Sequence, residues 1–325
     1  MHYRWFRDVF GIDDSEHSIA TSVYVTHTGH DTSLYVDKPG VESRSWRVGA
    51  FETCTLAALT TKLSQVRALA RDGDGDVSLP PSPSPSPSPS PTPHKQASSS
   101  EDTRTDVQVH LHRPPSTHPL RFQTRRCAAE AFGDLIADRA HANAVFQMSS
   151  HANAAGWDFI KPDFAQGLFC AKACAGATLF RTHFLDHKVN LCPTPSPDLL
   201  NSTFVGVQWS TDVTAGTHAV TLVLCTHIPL SLNKHVAHKT VLAAVQSVMY
   251  VAYKGTLLAG AILSAANPHH EPDVSTTHHP YPPLRQQVFL TLLGGGTIAK
   301  VVVMKALNQA LAEMSTIPLD VVLCE

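Results

Sequence analysis

Hydrophobic and polar positions follow two different rhythms along the chain, one before residue 79 and another after residue 106. In the first part, short runs rich in β-branched and aromatic residues are separated by turn residues. This pattern predicts strands at 18–27, 32–37 and 43–51. Apolar residues at helical spacing then predict a helix over 55–70.

After residue 106 the pattern changes to an alternation of strands and helices. Short apolar runs predict the strands, and longer segments with apolar residues at helical spacing predict the helices. The predicted strands are 106–112, 144–150, 205–213, 218–230, 287–293 and 319–325, and the predicted helices are 125–140, 164–184, 239–266 and 298–314. Such alternation predicts an α/β fold with three α/β/α layers around a mixed, mostly parallel sheet.

Between the two parts lies the segment LPPSPSPSPSPSPTPHKQASSSEDTRTD, residues 79–106. Alternating proline and serine form neither a helix nor a strand ladder, so we predict a disordered insert here. The chain is therefore divided into residues 1–78, the insert 79–106 and an α/β core over 107–325. We expect 1–78, with its strands and helix, to belong to the same unit as the core.

Composition and charge narrow the class of protein. With 325 residues, 43% of them hydrophobic, the chain is long enough to bury a sizeable core. Its 25 basic and 27 acidic residues give a formal net charge of −2 and no basic stripe, so we expect no nucleic-acid partner. The 7 cysteines are an odd number, and several lie in apolar runs, which indicates reduced thiols in the cytoplasm or nucleus.

One apolar segment, residues 241–263, is long enough to span a membrane and carries one charged residue, Lys254. Gln246, Tyr250 and Tyr253 lie in the middle of this segment, and the predicted strands on both sides need partners in a sheet. We therefore predict a helix buried against the sheet, and no membrane partner.

A glycine-rich turn joins a predicted strand to the final helix in LTLLGGGTIAKVVVMKALNQALAEM. Gly294, Gly295 and Gly296 follow a buried strand, and Thr297 is suited to cap the helix. Ligands bind at this place in open α/β sheets, and free N–H groups at a helix start favour a phosphate. Lys300, in the first turn, either adds a positive charge to that phosphate site or is simply solvated. The alternative is a tight turn without a ligand.

A second loop, SSHANAAG, follows the predicted strand 144–150, and the helix after it opens with AQGLFCAKACAG. The long helix then contains YKGTLLAGA, and the closing strand, glycine turn, helix and strand complete the order. This order of parts resembles the macrodomain family, which binds ADP-ribose and its derivatives. The chain also resembles an uncharacterised family with N-terminal WF…FG and C-terminal TLLGGG motifs, which implies no chemistry but supports one unit on both sides of the insert.

The resemblance to macrodomains covers roughly residues 143–325 and implies specific contacts. Asn153 would contact the distal ribose, Gly167 would line the diphosphate channel, and the glycine turn would form the second phosphate loop. Ser150 and Gln166 are also expected to bind the ligand. The resemblance implies ADP-ribose or a nucleotide diphosphate as the ligand, and an ADP-ribosylated protein as a further partner.

The chain also departs from the macrodomain pattern. A triple-glycine stretch after the first asparagine is absent, Ile298 stands where an aromatic residue is expected, and no acidic residue can be assigned to hold the adenine. These departures favour a first alternative, a non-catalytic protein-interaction domain that has kept the fold and lost the pocket.

Hydrolysis of an ADP-ribosyl bond is the activity that the resemblance adds to binding. Asp158 lies near the first loop and would activate water as a general base, with Asn153 beside the substrate, unless Asp158 only stabilises a turn. The 20 histidines raise a second alternative, a metal-dependent hydrolase. Their pairs, such as 269–270 and 278–279, lack the spacing of metal ligands, so we predict neither a metal site nor a cofactor.

Overall fold

A mixed, mostly parallel sheet with helices on both faces lies at the centre of the structure, which confirms the predicted fold class. The computed structural model describes residues 4–28, 31–37, 44–72, 120–127, 129–149, 165–185, 198–226, 238–267, 285–293 and 300–325. The insert 79–106 and the strand predicted at 106–112 lie outside these ranges.

Strands and helices alternate through most of the described chain. The strands are β1 (Val23–Thr28), β2 (Asp31–Val36), β3 (Arg44–Arg47), β4 (Ala50–Cys54), β5 (Arg121–Arg125), β6 (Val145–Ser149), β7 (Val205–Asp212), β8 (Ala219–Cys225), β9 (Gln286–Thr291) and β10 (Leu319–Cys324). The helices are α1 (Arg4–Phe10), α2 (Glu16–Ser22), α3 (Leu56–Asp72), α4 (Ala129–Ala137), α5 (Ala165–Ala173), α6 (Ala175–His183), α7 (Leu199–Ser202), α8 (His238–Ala266) and α9 (Lys300–Glu313).

The main sheet contains seven strands in the order β4-β7-β8-β6-β9-β10-β5. Strand β7 is antiparallel to both of its neighbours, and the other described pairs of this sheet are parallel. Strands β1, β2 and β3 form a separate antiparallel sheet. Parallel strands covered on both faces need apolar side chains in both directions, and β8, AVTLVLC, is accordingly buried along its whole length.

Helices α3, α8 and α9 cover one face of the main sheet, and α4 and α5 cover the other. Along β6, Val145 packs into the core on the α8 side and Phe146 into the core on the α4 side. Helix α6 continues the second layer over β7 and the three-stranded sheet. The sheet therefore separates two hydrophobic cores, with the carboxyl ends of β6, β8, β9 and β10 at a common edge.

Helix α8 is the predicted buried helix, and its packing on the sheet is confirmed. Its segment Thr240–Ala266 is long and apolar enough to cross a membrane, but 78% of the stretch that meets this criterion is buried inside the structure. The helix lies so close to the sheet that a Cβ atom on Gly260 would come within 2.6 Å of Cγ2 of Val288.

The strand predicted at 18–27 is wrong in its first half, which forms α2. The Ser15 hydroxyl caps this helix by accepting a hydrogen bond from the backbone N–H of Ser18 at 3.1 Å, and Ile19 is buried. A local cap and one buried contact therefore override the β-branched composition of the segment.

The single strand predicted at 43–51 is also wrong, because β3 and β4 belong to different sheets. Gly49 lies between them with φ +64°. A Cβ atom there would lie 1.7 Å from the Trp209 carbonyl oxygen, so the turn between the sheets requires glycine.

The helix predicted at 164–184 is broken at Cys174, whose φ of −125° and ψ of 60° are not helical. The backbone N–H of Ala175 donates to Thr214 Oγ1 at 2.7 Å, and the N–H of Thr214 donates to the Ala173 carbonyl at 2.7 Å. The turn between β7 and β8 thus replaces hydrogen bonds that the break removes from the helix.

Strand β5 was not predicted, because all of its residues, RFQTR, are exposed and show no apolar alternation. It lies at the edge of the main sheet and pairs in parallel with β10, from Arg121 opposite Asp320 to Arg125 opposite Cys324. A distant partner strand, and not local pattern, gives this segment its conformation.

Candidate ligand-binding site

Strands β6 and β9 are neighbours in the sheet, but the chain leaves them in opposite directions. From β6 it passes through α5 and α6 on one face towards β7, and from β9 through α9 on the other face towards β10. Such a reversal opens a crevice at the carboxyl ends of the two strands, where open α/β sheets bind ligands. These strands are the ones that precede the two predicted ligand-binding loops.

The two strands separate before they end. Their backbone pairing in the described structure includes Val145 and Phe146 of β6 and stops there. Beyond it the side chain of Gln147 bridges the gap, because Oε1 accepts a hydrogen bond from the backbone N–H of Thr291 at 3.1 Å. A side-chain amide thus takes the place of a ladder hydrogen bond and holds the two strand ends at a fixed separation.

Gln147 is fully buried, and its amide nitrogen is bonded as well as its oxygen. Nε2 donates to the Ala252 carbonyl at 3.3 Å and to Thr256 Oγ1 at 3.1 Å, both on α8. Thr256 Oγ1 donates in turn to the Ala252 carbonyl at 2.8 Å. Buried polar groups are costly unless they are bonded, so this network favours one arrangement of α8, β6 and β9.

Tyr253 extends the network to the last described residues before the glycine turn. Its hydroxyl donates to the Thr291 carbonyl at 3.1 Å and accepts from the backbone N–H of Leu293 at 3.3 Å. The side chain is fully buried, and burial raises the pKa of this phenol above its ordinary value of 10. The hydroxyl is therefore protonated at neutral pH and able to donate.

The thiol of Cys225 lies beside the same network, 3.7 Å from Nε2 of Gln147 and 3.7 Å from Oγ1 of Thr256. Burial raises the pKa of Cys225 to about 12, and it does the same for Cys54 and Cys174. These thiols are neutral at physiological pH and are poor nucleophiles. The described cysteines are unpaired.

Most predicted ligand-binding and catalytic residues lie outside the described ranges, namely Ser150, Asn153, Asp158, Gly294, Gly295, Gly296 and Thr297. Gln166 and Gly167 lie in the first turn of α5, the helix that follows the first loop. The structure describes the points from which the two loops leave, Ser149 and Leu293, at the ends of neighbouring strands.

Lys300 is the first residue of α9, close to where the sequence predicts the helix to begin. Its ammonium group lies 3.3 Å from Oε2 of Glu325, and its side chain is 62% exposed. The lysine is therefore at the amino-terminal end of the helix that follows the glycine turn, where it balances a carboxylate at the surface.

The roles of Gln147 and Thr256 were not predicted from the sequence, and Tyr253 was noted only as a polar residue of the long helix and as part of YKGTLLAGA. A signal was available in each case, because Gln147 interrupts the apolar run VFQMS and Thr256 interrupts the apolar segment GTLLAGA. A polar side chain in an apolar, buried segment needs a partner. The pattern does not show which partner, since residues 147 and 291 meet only in the folded sheet.

A separate groove of about 480 Å³ lies at the opposite edge of the sheet, beside the turn between β7 and β8. Its lining includes Arg44, Trp46, Asp212 and His218. Because β8 begins at this edge, the groove faces the amino ends of the parallel strands. It is therefore distinct from the carboxyl ends of β6 and β9, after which the two predicted loops follow.

Among the residues that the structure describes, no group of three or more His, Cys, Asp or Glu side chains could hold a metal ion. The histidine pairs at 269–270 and 278–279 lie outside the described ranges. The second alternative, a metal-dependent hydrolase, therefore has no supporting observation in the described part of the chain.

Comparisons with known proteins do not assign a family. No protein-family model matches the chain, and no curated protein matches it. Among solved structures, the chain is similar to a poly(ADP-ribose) glycohydrolase from Thermomonospora curvata bound to the inhibitor ADP-HPD. The identity is 13% and the TM-score 0.37, over 63% of this chain and 72% of that chain. Similarity at this level assigns neither a family nor an activity.

Proposed function

We propose that the crevice between β6 and β9 binds ADP-ribose or a related diphosphate nucleotide, as in a divergent macrodomain. The observation that carries the proposal is the hydrogen bond from the Thr291 N–H to Gln147 Oε1. It joins the strand ends from which the two predicted loops leave, so both loops begin at one crevice. The crevice also lies at the position where α/β sheets bind nucleotides.

In this proposal the diphosphate lies against the backbone N–H groups of Gly294, Gly295 and Gly296. Glycine lets a phosphate approach the backbone, and the amino end of α9 favours negative charge. Thr297 leads into that helix, and Lys300 adds a positive charge.

The ribose side of the ligand belongs to the first loop. Asn153 and Ser150 contact the distal ribose, and Gln166 and Gly167 border the diphosphate at the start of α5. Hydrolysis of an ADP-ribosyl bond is a further step of the same proposal, in which Asp158 activates water. An ADP-ribosylated protein is then the substrate, in a reducing compartment such as the cytoplasm or nucleus that suits the unpaired thiols.

Calorimetric titration of ADP-ribose into the wild type and Gly295→Glu tests the proposal, with AMP and NAD as comparison ligands. We expect saturable binding by the wild type and none by Gly295→Glu, because the new carboxylate would occupy the phosphate position and repel the ligand. If the wild type binds none of the three nucleotides, the proposal is overturned and a protein-interaction domain becomes the preferred function.

A matched pair of lysine variants on α9 separates specific phosphate contact from a general effect of charge. Lys300 begins the helix, whereas Lys305 is an exposed lysine further along it. Lys300→Ala is expected to weaken ADP-ribose binding by roughly tenfold, the effect of about one charge-assisted hydrogen bond. Lys305→Ala is expected to leave the affinity unchanged, and equal losses in both variants would contradict a direct contact with Lys300.

A further inference from the structure

We infer that Tyr253 is a positioning residue that sets the path of the chain from β9 into the glycine turn, and thereby the affinity for the diphosphate. The effect on affinity rests on the proposed function, whereas the effect on the path of the chain does not. Tyr253 lies on α8, and its hydroxyl bonds to backbone groups of Thr291 and Leu293.

The two hydrogen bonds hold the chain on both sides of Leu292. The hydroxyl donates to the carbonyl of the residue before it and accepts from the N–H of the residue after it. A phenol is suited to this role because a single oxygen both donates and accepts. Phenylalanine would fill nearly the same volume and make neither bond.

Thr291 is held from a second direction as well. Its carbonyl accepts from Tyr253 and its N–H donates to Gln147, so α8 and β6 both fix this one residue at the end of β9. Both side chains are fully buried, and the next residues of the chain enter the glycine turn. In the proposed function the diphosphate binds the chain directly after this point, so a small displacement here would weaken that binding.

Tyr250 provides a matched control on the same helix. Its hydroxyl is also bonded, donating to Oε2 of Glu313 at 2.6 Å and accepting from Nζ of Lys254 at 2.8 Å. The bond to Glu313 joins α8 to α9, the bond from Lys254 lies within α8, and neither involves β9. Tyr250→Phe and Tyr253→Phe thus remove the same atom from one helix, and the two variants differ in what that atom holds.

Hydrogen exchange of the Leu293 amide, measured without ligand, tests the positioning role directly. We expect exchange to be roughly tenfold faster in Tyr253→Phe, the effect of losing about one net hydrogen bond, and unchanged in Tyr250→Phe. Unchanged exchange in Tyr253→Phe would overturn the inference, whether or not the protein binds a nucleotide.

ADP-ribose titration of the same variants tests the consequence for binding. Tyr253→Phe is expected to bind roughly tenfold more weakly, whereas Tyr250→Phe is expected to match the wild type. Val248→Ala, a truncation of a buried α8 residue, shows whether a loss of stability alone lowers the affinity, and we expect it to leave the affinity unchanged. Equal affinity of Tyr253→Phe and wild type would overturn the link to binding. Failure of the wild type to bind would instead overturn the proposed function, and Leu293 exchange would then decide the positioning role alone.

Discussion

The two faces of the main sheet hold their buried polar groups in different ways. On the face covered by α8, the side chains of Gln147, Tyr253 and Thr256 all have hydrogen-bond partners. On the opposite face, the guanidinium of Arg181 is buried with one long hydrogen bond, from Nη2 to Thr178 Oγ1 at 3.4 Å. Its Nη1 atom has no partner among the described residues.

Two residues of β7 on this opposite face also have buried polar atoms without a described hydrogen-bond partner. Gln208 donates from Nε2 to the Val48 carbonyl, but its Oε1 atom is buried without a described partner, and so is Oγ1 of Thr211. A fully bonded network favours one arrangement, whereas unbonded buried groups weaken the fold. The separation of the β6 and β9 ends is therefore specified mainly from the α8 side.

The largest loss of stability is expected from a variant that breaks the hydrogen-bond network on the α8 face. Gln147→Leu keeps a similar volume but leaves the buried N–H of Thr291 without an acceptor, so we expect a loss of about 3 kcal/mol in the free energy of unfolding. Urea unfolding measures this loss. Gln309→Leu is the control, because Gln309 is exposed on α9, and it should change stability by less than about 0.5 kcal/mol. Equal small effects in both variants would show that the network contributes little.

A second prediction concerns the close contact between α8 and the sheet. Gly260→Ala is expected to lower stability by about 2 kcal/mol, because its Cβ atom would meet the rigid, buried side chain of Val288. Removing that side chain in Gly260→Ala/Val288→Ala should make the combined loss smaller than the sum of the single losses. Thermal or urea unfolding of the four proteins checks this, and strict additivity would contradict the contact.

On the opposite face, removing the buried polar group of Arg181 should raise stability instead of lowering it. Burial is the main cause that lowers the pKa of Arg181 to about 10, and the neighbouring thiols of Cys174 and Cys170 only partly offset it. Arg181 has no ion-pair partner among the described residues, and replacing such a buried charge by an apolar chain is often stabilising, so we expect Arg181→Met to raise stability by about 1 kcal/mol. Arg67→Met, at an exposed position, should have almost no effect. A clear loss of stability in Arg181→Met would mean that the guanidinium has a partner beyond the described residues.

The smallest effect is expected at the exposed end of the α8–α9 contact. Hydrogen bonds from Lys254 and then Tyr250 lower the pKa of Glu313 below its ordinary value of 4.5. A lowered pKa means that Glu313 contributes stability above pH 4.5 and loses it as the pH falls through the lowered pKa. Because solvent screens this pair, Glu313→Gln should cost only about 0.5 kcal/mol at pH 7. Unfolding measured from pH 7 to pH 3 should show the difference from the wild type shrinking towards acid.

The sequence predicts the centre of this fold well because buried parallel strands are apolar on both faces. Strands β6, β8, β9 and β10 and helix α8 are all recognisable as apolar segments. Strand β5 is not recognisable, because it lies at an edge and is exposed. The strand predicted over the α2 segment was wrong because the Ser15 cap favours a helix there.

The position of the candidate site after β9 could be predicted from the sequence, but the side chains that hold the end of this strand could not. The glycine turn is visible at the end of β9 because glycine and strand patterns are local signals. The bonds of Gln147 and Tyr253 join residues that are far apart along the chain, so no local pattern reports them. The sequence therefore predicts a loop after β9, and the folded chain shows the hydrogen bonds that hold the end of that strand.

The pairing of β5 with β10 has a consequence for how the protein is made. In the described part of the chain, residues 121–125 pair with residues 320–324. During synthesis the pairing of β5 with β10 therefore cannot form until β10 has left the ribosome, and in the folded sheet β9 and β10 lie between β6 and β5. Sheets that depend on such distant pairings form slowly, and their open strand edges invite aggregation in the meantime. We expect nascent chains of this protein to depend on chaperones that bind exposed strands.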